Sequence, residues 1–476
     1  MHDGGPPQPS IERVATGIRG VDTILGGGFL AGSVQLLLGR PGSGKTIFAN
    51  QVAFHHASAG HTAAYVTLLA ESHARMLSHL ASFAFFDPQL VSRRIIYMSG
   101  YSVLEQTGLD GLLDLLTRTI REQGASLLVI DGLSTAKEFA PTTTAFKRFL
   151  LRLSTSASLT TCTILLVSPM LRSSSSQPEN ATVDGIVRID KRACGARVMR
   201  EMVVEKMRGT DYALGVHAID IDTRGMHVYP RIESLPIRPT VTVAHRRRLE
   251  FGIPGLDAML GGGVLEGSTT GIVGPTGTGK TLLGSSFLAR GLEQGERAIY
   301  AGLREMPEQV IQQAEAVGLR LAEPMARGML DVLWFPAKEI SIDAIAWRLL
   351  DKIEQGGIKR VVIDGIDGFQ AMLAYPERLL RFYTALVTRL AALGATTVMT
   401  EASWAAPTGL ETVASTSVNN LLVLDEASSG RHVRRTIETL KVQAGPHDMA
   451  PRRIHISNKG LSVDRPLRGR LRGDKP

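Results

Sequence analysis

The sequence predicts an α/β protein built from two tandem copies of one domain, each a mainly parallel twisted sheet flanked by helices. Three observations carry this expectation. The chain repeats itself, each copy holds a glycine-rich loop between an apolar strand and a helix, and short apolar strands alternate with helical stretches beyond that loop. Residues 17 to 46 read GIRGVDTILGGGFLAGSVQLLLGRPGSGKT, residues 252 to 281 read GIPGLDAMLGGGVLEGSTTGIVGPTGTGKT, and 16 of the 30 aligned positions are identical without a gap. The offset of 235 residues is close to half of the 476-residue chain, so a whole domain is duplicated rather than a short solenoid unit.

Within each half the expected elements come in the same order. An apolar strand (34–38; 270–273) enters the glycine-rich loop, and a helix follows it (46–57; 281–292). A second strand comes next (63–68; 298–303), then an apolar strand that ends in an acid (127–131; 361–364), then another apolar strand (163–167; 396–399). Strands alternating with helices predict a parallel sheet covered on both faces, with ligands at the carboxyl ends of the strands. The halves meet between Pro230 and Arg248, where three prolines and a basic run disfavour regular structure. The expected division is a first domain over 1–235, a second over 236–464 and a basic tail over 465–476. Ser173 to Ser176 is read as a mobile surface loop.

Composition narrows the class. Apolar residues make up 44% of the chain and charged residues 21%, as in a well-cored globular protein. No apolar run is long enough to cross a bilayer, and MHDGGPPQPS lacks the layout of a secretory signal, so a cytoplasmic protein is expected. The two cysteines, Cys162 and Cys194, cannot form a zinc cluster or a disulfide framework. The formal charge of +8 is partly concentrated in Arg246–Arg248 and in the tail from Arg465 to Lys475. These runs are read as solvated linker and tail; the alternative is contact with nucleic acid or an acidic partner.

Both glycine-rich loops fit G-x-x-x-x-G-K-[ST]: Gly39 to Thr46 and Gly274 to Thr281. Glycines let successive backbone N–H groups turn toward phosphate oxygens, and the following helix presents its positive end to the same anion. The residues expected to cradle a triphosphate are Gly39, Gly42, Ser43, Gly44, Lys45 and Thr46, and in the second half Gly274, Thr276, Gly277, Thr278, Gly279, Lys280 and Thr281. Lys45 and Lys280 are expected to reach the terminal phosphates and assist their transfer, and the hydroxyls of Thr46 and Thr281 to ligate Mg2+. Asp131 and Asp364 end their strands, where a carboxylate holds the metal through its water shell. Glu71 and Glu305 lie just past the second strand. A carboxylate there is placed to orient or deprotonate an attacking water or hydroxyl, although a helix-starting acid is the simpler alternative.

The stretches TGIRGVDTILGGGFLAGS, VTLLAES and KMRGTDYALGVHAIDIDTRGMHVYP, together with the loop, resemble the first domain of KaiC-type proteins, a RecA-like P-loop family. The second half repeats the pattern through KVQAGPHDMAPRRIHISNKGLSV, so the resemblance covers nearly the whole chain. RadA-type recombinases share this core, but their four-cysteine zinc element is absent. The resemblance implies two tandem RecA-like domains, a homo-oligomeric hexameric ring, ATP held between adjacent subunits with Mg2+, and a signalling or circadian-clock role. It implies that a K-x-R segment of the neighbour reaches the nucleotide. Lys206 and Arg208 match it in the first half; Lys441 matches the lysine in the second, where Gln443 replaces the arginine. The family carries two adjacent glutamates after the second strand. Here the first slot is Ala70 in one half and Arg304 in the other, which leaves Glu71 and Glu305. The family's second domain phosphorylates itself on a Ser-Thr pair, and STSVNNLLVL places Ser415 and Thr416 there, against Asn180 and Ala181 in the first half.

Three functions are therefore expected to compete: an ATP-hydrolysing switch with Ser/Thr autokinase activity in the second domain, an ATP-binding signalling scaffold with little chemistry, and a DNA-dependent RecA/RadA-like ATPase. No aromatic-studded basic motif supports the third.

Overall fold

The structure is a computed structural model that describes residues 12–69, 73–170, 178–195, 197–237, 247–303, 305–335, 341–402, 417–429, 432–443 and 447–464. The chain divides into two compact units, Met1–Leu235 and Pro236–Pro476. The Ser173–Ser176 run and the basic tail lie outside the described residues.

The first unit is built on strands β1 (Val34–Gly39), β2 (Ala63–Thr67), β3 (Ile95–Ser99), β4 (Leu127–Asp131), β5 (Thr163–Pro169), β6 (Gly185–Cys194), β7 (Arg197–Met207), β8 (His217–Asp222) and β9 (Gly225–Tyr229). They form one sheet in the order β3-β2-β4-β5-β1-β6-β7-β8-β9. The first six run parallel, and β7 to β9 extend the sheet by antiparallel pairing. The sequence reading did not foresee this antiparallel wing, nor the parallel strands β3 and β6.

Helices cover both faces, which is why the central strands are continuously apolar. On one face α1 (Lys45–Ser58) packs Phe48, Val52 and Ala53 on Tyr65, Val129 and Leu165. On the other, α2 (Tyr101–Gln123) and α3 (Thr143–Thr160) pack Leu116, Phe146 and Leu150 on Val66, Leu128 and Ile130. Thr142 caps α3 by accepting from the Ala145 N–H at 3.1 Å, satisfying one of the unpaired N–H groups of the first turn. Short α4 (Pro178–Thr182) leads into β6.

The second unit repeats this plan with β10 (Thr269–Gly274), β11 (Ala298–Gly302), β12 (Leu330–Trp334), β13 (Arg360–Asp364), β14 (Thr396–Ala402), β15 (Asn420–Ser429), β16 (His432–Lys441), β17 (Arg452–Ser457) and β18 (Gly460–Val463). Its order, β12-β11-β13-β14-β10-β15-β16-β17-β18, is the same as that of the first unit, strand for strand. Helix α5 (Lys280–Glu293) packs Leu283, Phe287 and Leu288 on Tyr300, Val362 and Val398. Helix α6 (Pro307–Ala316) follows β11.

The repeated sequence signature has a structural job in each unit. Asp22 accepts from the N–H groups of Thr16 (2.7 Å) and Gly17 (3.2 Å), and Asp257 from those of Phe251 (2.7 Å) and Ile253 (3.1 Å). Arg13 donates to the carbonyls of Leu25 (2.8 Å) and Gly28 (3.0 Å), and Arg248 to those of Leu260 (2.9 Å) and Gly263 (2.7 Å). Arg248 is thus no solvated linker residue: it pins the triple-glycine turn. Arg247, read the same way, pairs with Glu296 and Glu266.

Arg360 opens the strand that ends in Asp364 and is fully buried. Its guanidinium donates to Glu296 Oε2 (2.6 Å), the Glu250 carbonyl (2.7 Å), the Phe287 carbonyl (2.9 Å) and Gln294 Oε1 (3.0 Å). Removing it takes the donor from four acceptors, among them the buried Phe287 carbonyl and the partly buried Glu296 carboxylate. Arg360→Leu is expected to destabilise this unit by about 3–5 kcal/mol. The chain's three tryptophans, Trp334, Trp347 and Trp404, all fall in the second unit, so urea unfolding followed by tryptophan fluorescence measures that loss.

Candidate functional site

The parallel order puts β1 between β5 and β6, and β10 between β14 and β15. The loops leaving β1 and β10 therefore emerge at the carboxyl edge of the sheet, where α/β proteins place ligands. Gly44 and Gly279 sit at φ +110° and +104°, directly before Lys45 and Lys280 begin α1 and α5. Gly39 and Gly274 are required for a different reason. A Cβ on Gly39 would stand 1.9 Å from the Ile189 carbonyl oxygen, and one on Gly274 would stand 2.4 Å from that of Leu424.

Each loop lysine curls over its own loop. Lys45 Nζ donates to the carbonyls of Gly39 (2.7 Å) and Arg40 (3.0 Å), and Lys280 Nζ to those of Gly274 (2.8 Å) and Pro275 (2.6 Å). Burial lowers the pKa of Lys45, while the carboxylates of Asp131 and Asp190 oppose that shift. In the second unit Thr278 donates to the Pro275 carbonyl (2.8 Å), which tightens the turn.

The acids at the ends of β4 and β13 are held by hydroxyls. Tyr65 donates to Asp131 Oδ2 at 2.9 Å, and Tyr300 to Asp364 Oδ2 at 2.5 Å. Thr281 donates to the same Oδ2 at 2.8 Å, and Thr400 donates to Asp364 Oδ1. Thr281 and Asp364, the two expected metal ligands of the second half, are thus already in contact. Sequence reasoning missed the tyrosines and Thr400. The tyrosines were within its reach, since both stand at the repeat offset; Thr400 has no such signal, because its counterpart in register is Val167.

Glu305 joins this cluster. It lines a cavity of about 330 Å³ with Lys280, Thr281, Tyr300, Asp364 and Thr400. It precedes α6, whose N-cap is Met306, so it is not the first-turn acid of the alternative reading. Gln313 donates to its carboxyl, yet Oε2 is buried with no hydrogen-bond partner among the described residues. Burial, reinforced by the nearby Asp364 carboxylate, raises its pKa. The donor set suits Mg2+, a hard cation that takes oxygen ligands from a hydroxyl, one carboxylate, waters and phosphate. The glycine-lined loop suits the phosphates, and an orphaned carboxylate oxygen suits a water or hydroxyl donor.

The first half is different. Glu71, Ala70, Ser415 and Thr416 lie outside the described residues, as does Arg304. Counting along the chain, Glu305 is the third residue past β11; the third past β2 is Ala70, and Glu71 comes one later. Lys206 and Arg208 are neither free nor simply solvated. Lys206 Nζ donates to the carbonyls of Asn180 (2.9 Å) and Val183 (2.6 Å), and Arg208 to that of Ala181 (3.2 Å), so both cap the carboxyl end of α4. Burial and the neighbouring Arg208 lower the Lys206 pKa. In the second half Lys441 Nζ donates to the Val418 carbonyl at 2.7 Å.

Comparison with known proteins fits this architecture. The family described as "ATPase: KaiC" matches residues 14–233 and again residues 249–468. The chain belongs to the KaiC family. It is 25% identical over 471 residues to the "Circadian clock oscillator protein KaiC" of Picosynechococcus sp., covering 95% of this chain and 90% of the relative. It is 25% identical to "Circadian clock oscillator protein KaiC 1" of Synechocystis sp., covering 96% and 90%, and 23% identical to the KaiC of Prochlorococcus marinus, covering 97% and 94%. A KaiC-family ATPase fold is therefore present twice, and no helix among the described residues is long and apolar enough to cross a membrane.

The close approach at Gly274 generates a test. Gly274→Ala puts a methyl group against the Leu424 carbonyl, so either the loop or β15 must shift. The variant is expected to lose nucleotide binding at the second site, with a Kd raised at least tenfold by calorimetry, while far-ultraviolet circular dichroism stays unchanged.

Proposed function

We propose that the chain is an ATP-binding and ATP-hydrolysing switch of the KaiC family, assembled as a hexameric ring, with Mg2+ as its metal and with Ser/Thr autokinase activity in the second domain. The observation that carries the reading is the convergence of Lys280, Thr281, Asp364 and Glu305 on one cavity at the carboxyl edge of the second sheet. In it, backbone N–H groups of the loop and the Lys280 ammonium bind the β- and γ-phosphates. Thr281 and Asp364 hold the metal, which when bound neutralises charge on the phosphates. Glu305 accepts the proton of the attacking water or hydroxyl. Tyr300 keeps the Asp364 carboxylate turned toward Thr281. The first site carries the same cradle, with Lys45, Thr46 and Asp131.

The ring and the autokinase steps rest on the family resemblance. In the autokinase step the γ-phosphoryl passes to a hydroxyl of Ser415 or Thr416, ADP leaves, and Glu305 takes the hydroxyl proton. A second reading, an ATP-binding scaffold with little turnover, draws on Gln443. It stands where the family has an arginine, and its backbone N–H is held by Asn420 Oδ1 at 2.9 Å.

Incubation with γ-labelled ATP tests the activity. Label is expected on the second domain and absent from the Ser415→Ala, Thr416→Ala variant; label that survives there removes both acceptors. In a Lys45→Ala chain, Glu305→Gln is expected to cut ATP turnover by about 10²–10⁴-fold with ATP Kd changed less than about threefold. The raised Glu305 pKa adds a pH signature. The carboxylate form grows as pH rises, so second-site turnover should climb through a midpoint above the usual glutamate value of about 4.3. The Glu305→Gln chain should show no such climb; an identical climb in both would remove Glu305 as the base.

A further inference from the structure

The two phosphate cradles share one backbone plan and differ in the charges that line it. On β6, Ile189 backs onto Gly39, and the next two residues, Asp190 and Lys191, pass beside the loop. Lys191 Nζ lies 3.1 Å from where a Cβ on Gly42 would stand. Arg40, within the loop, lies 3.5 Å from Asp190 Oδ1 through its Nε. Asp190 is buried and also accepts from the Lys191 backbone N–H at 2.8 Å, which fixes the turn of chain that presents the lysine.

On β15, Leu424 backs onto Gly274 in the same manner, but the next two residues are Asp425 and Glu426, both exposed. Among the described residues nothing stands within 4 Å of a Cβ built on Gly277, the counterpart of Gly42. Pro275 occupies the place of Arg40. Among the described residues, Arg40, Lys45 and Lys191 therefore surround the first cradle against Asp131 and Asp190. At the second, Lys280 shares its cavity with Glu305 and Asp364, and the positions of Asp190 and Lys191 are taken by Asp425 and Glu426, the latter paired in register with Arg435.

The geometry points to Lys191 as an additional polyphosphate-binding residue of the first site, supported by Arg40, at a position where the second site carries the opposing charge of Glu426. This rests on the reading of both cradles as triphosphate sites. An ammonium against Gly42 lies beside the run of backbone N–H groups that receives the phosphates, so it adds attraction for anionic oxygen without contacting base or ribose. Attraction of this kind scales with the charge of the ligand. It favours ATP over AMP, and it weakens with salt because the lysine is only half-buried. Asp190 sets the geometry: it holds Arg40 at the loop and orders the backbone of Lys191, so the cations are in place before a ligand arrives.

Binding to the full-length chain decides the matter. A Lys280→Ala background confines nucleotide to the first site. There, Lys191→Ala is expected to raise the Kd for ATP about fivefold to tenfold, and Lys191→Glu about tenfold or more. The Kd for AMP should change less than twofold, and the salt dependence of ATP binding should flatten. In a Lys45→Ala background, Glu426→Lys is expected to tighten ATP binding at the second site severalfold. The nucleotide-free unfolding midpoint reports whether either variant disturbs the fold. Should Lys191→Glu leave the ATP Kd within twofold, or weaken AMP and ATP equally, Lys191 is not a phosphate ligand. Should the Lys45→Ala, Lys280→Ala chain bind ATP as the parent does, the cradles are not the nucleotide sites and the underlying reading falls with it.

Discussion

Everything at the carboxyl edge of each sheet depends on one close approach: the first loop glycine lies so near the carbonyl of the neighbouring strand that no side chain fits between them. Gly39 against Ile189 and Gly274 against Leu424 weld the phosphate loop to β6 and β15. The contact fixes where the loop turns, and with it the start of α1 and α5. It also sets which residues of β6 and β15 pass beside the cradle. The same constraint thus produces the shared backbone and exposes the difference between Lys191 and Glu426.

The acids at the ends of β4 and β13 show how a tertiary contact prepares a charged group. A carboxylate at a buried strand end is costly unless its oxygens are satisfied. Tyr65 and Tyr300, each on the strand next to the acid, reach over to donate to it. Burial holds both phenols in the neutral, donating form, because their pKa values lie well above the usual range. Asp364 gains Thr281 and Thr400 as well, so both of its oxygens are held beside the loop. On the strand below it, Arg360 is braced by an acidic side chain, an amide and two carbonyls, so the acid is anchored from both ends of β13.

The two halves have kept the cradle and diverged around it. Glu305 sits within the second cavity with an oxygen that has no hydrogen-bond partner among the described residues, while the residue at the same step in the first half is Ala70. Thr400 hydrogen-bonds the second acid, whereas Val167 takes that register position in the first half and offers no hydroxyl. Arg40 and Lys191 stand at the first loop, where the second half has Pro275 and Glu426. Lys206 and Lys441 are shared again: each donates to the carbonyl of a valine just before the sixth strand of its sheet, Val183 and Val418.

The sequence by itself determined the duplication, the α/β class and the setting of each glycine-rich loop between an apolar strand and a helix. These are local patterns: an apolar strand, a glycine-rich turn and a helix start are written within about thirty consecutive residues. Only the tertiary structure decided which distant groups meet there. Tyr300 on Asp364, Thr400 on the same carboxylate, Lys191 against Gly42 and Lys206 on the end of α4 all join residues far apart in the chain, through strand order and register. Arg248 was misread as linker for the same reason, since the carbonyls it holds lie on a turn that closes only in the folded unit. Spacing along a chain encodes what one element does; which side chains share a cavity is set by how the elements stack, and that is a property of the packed sheet.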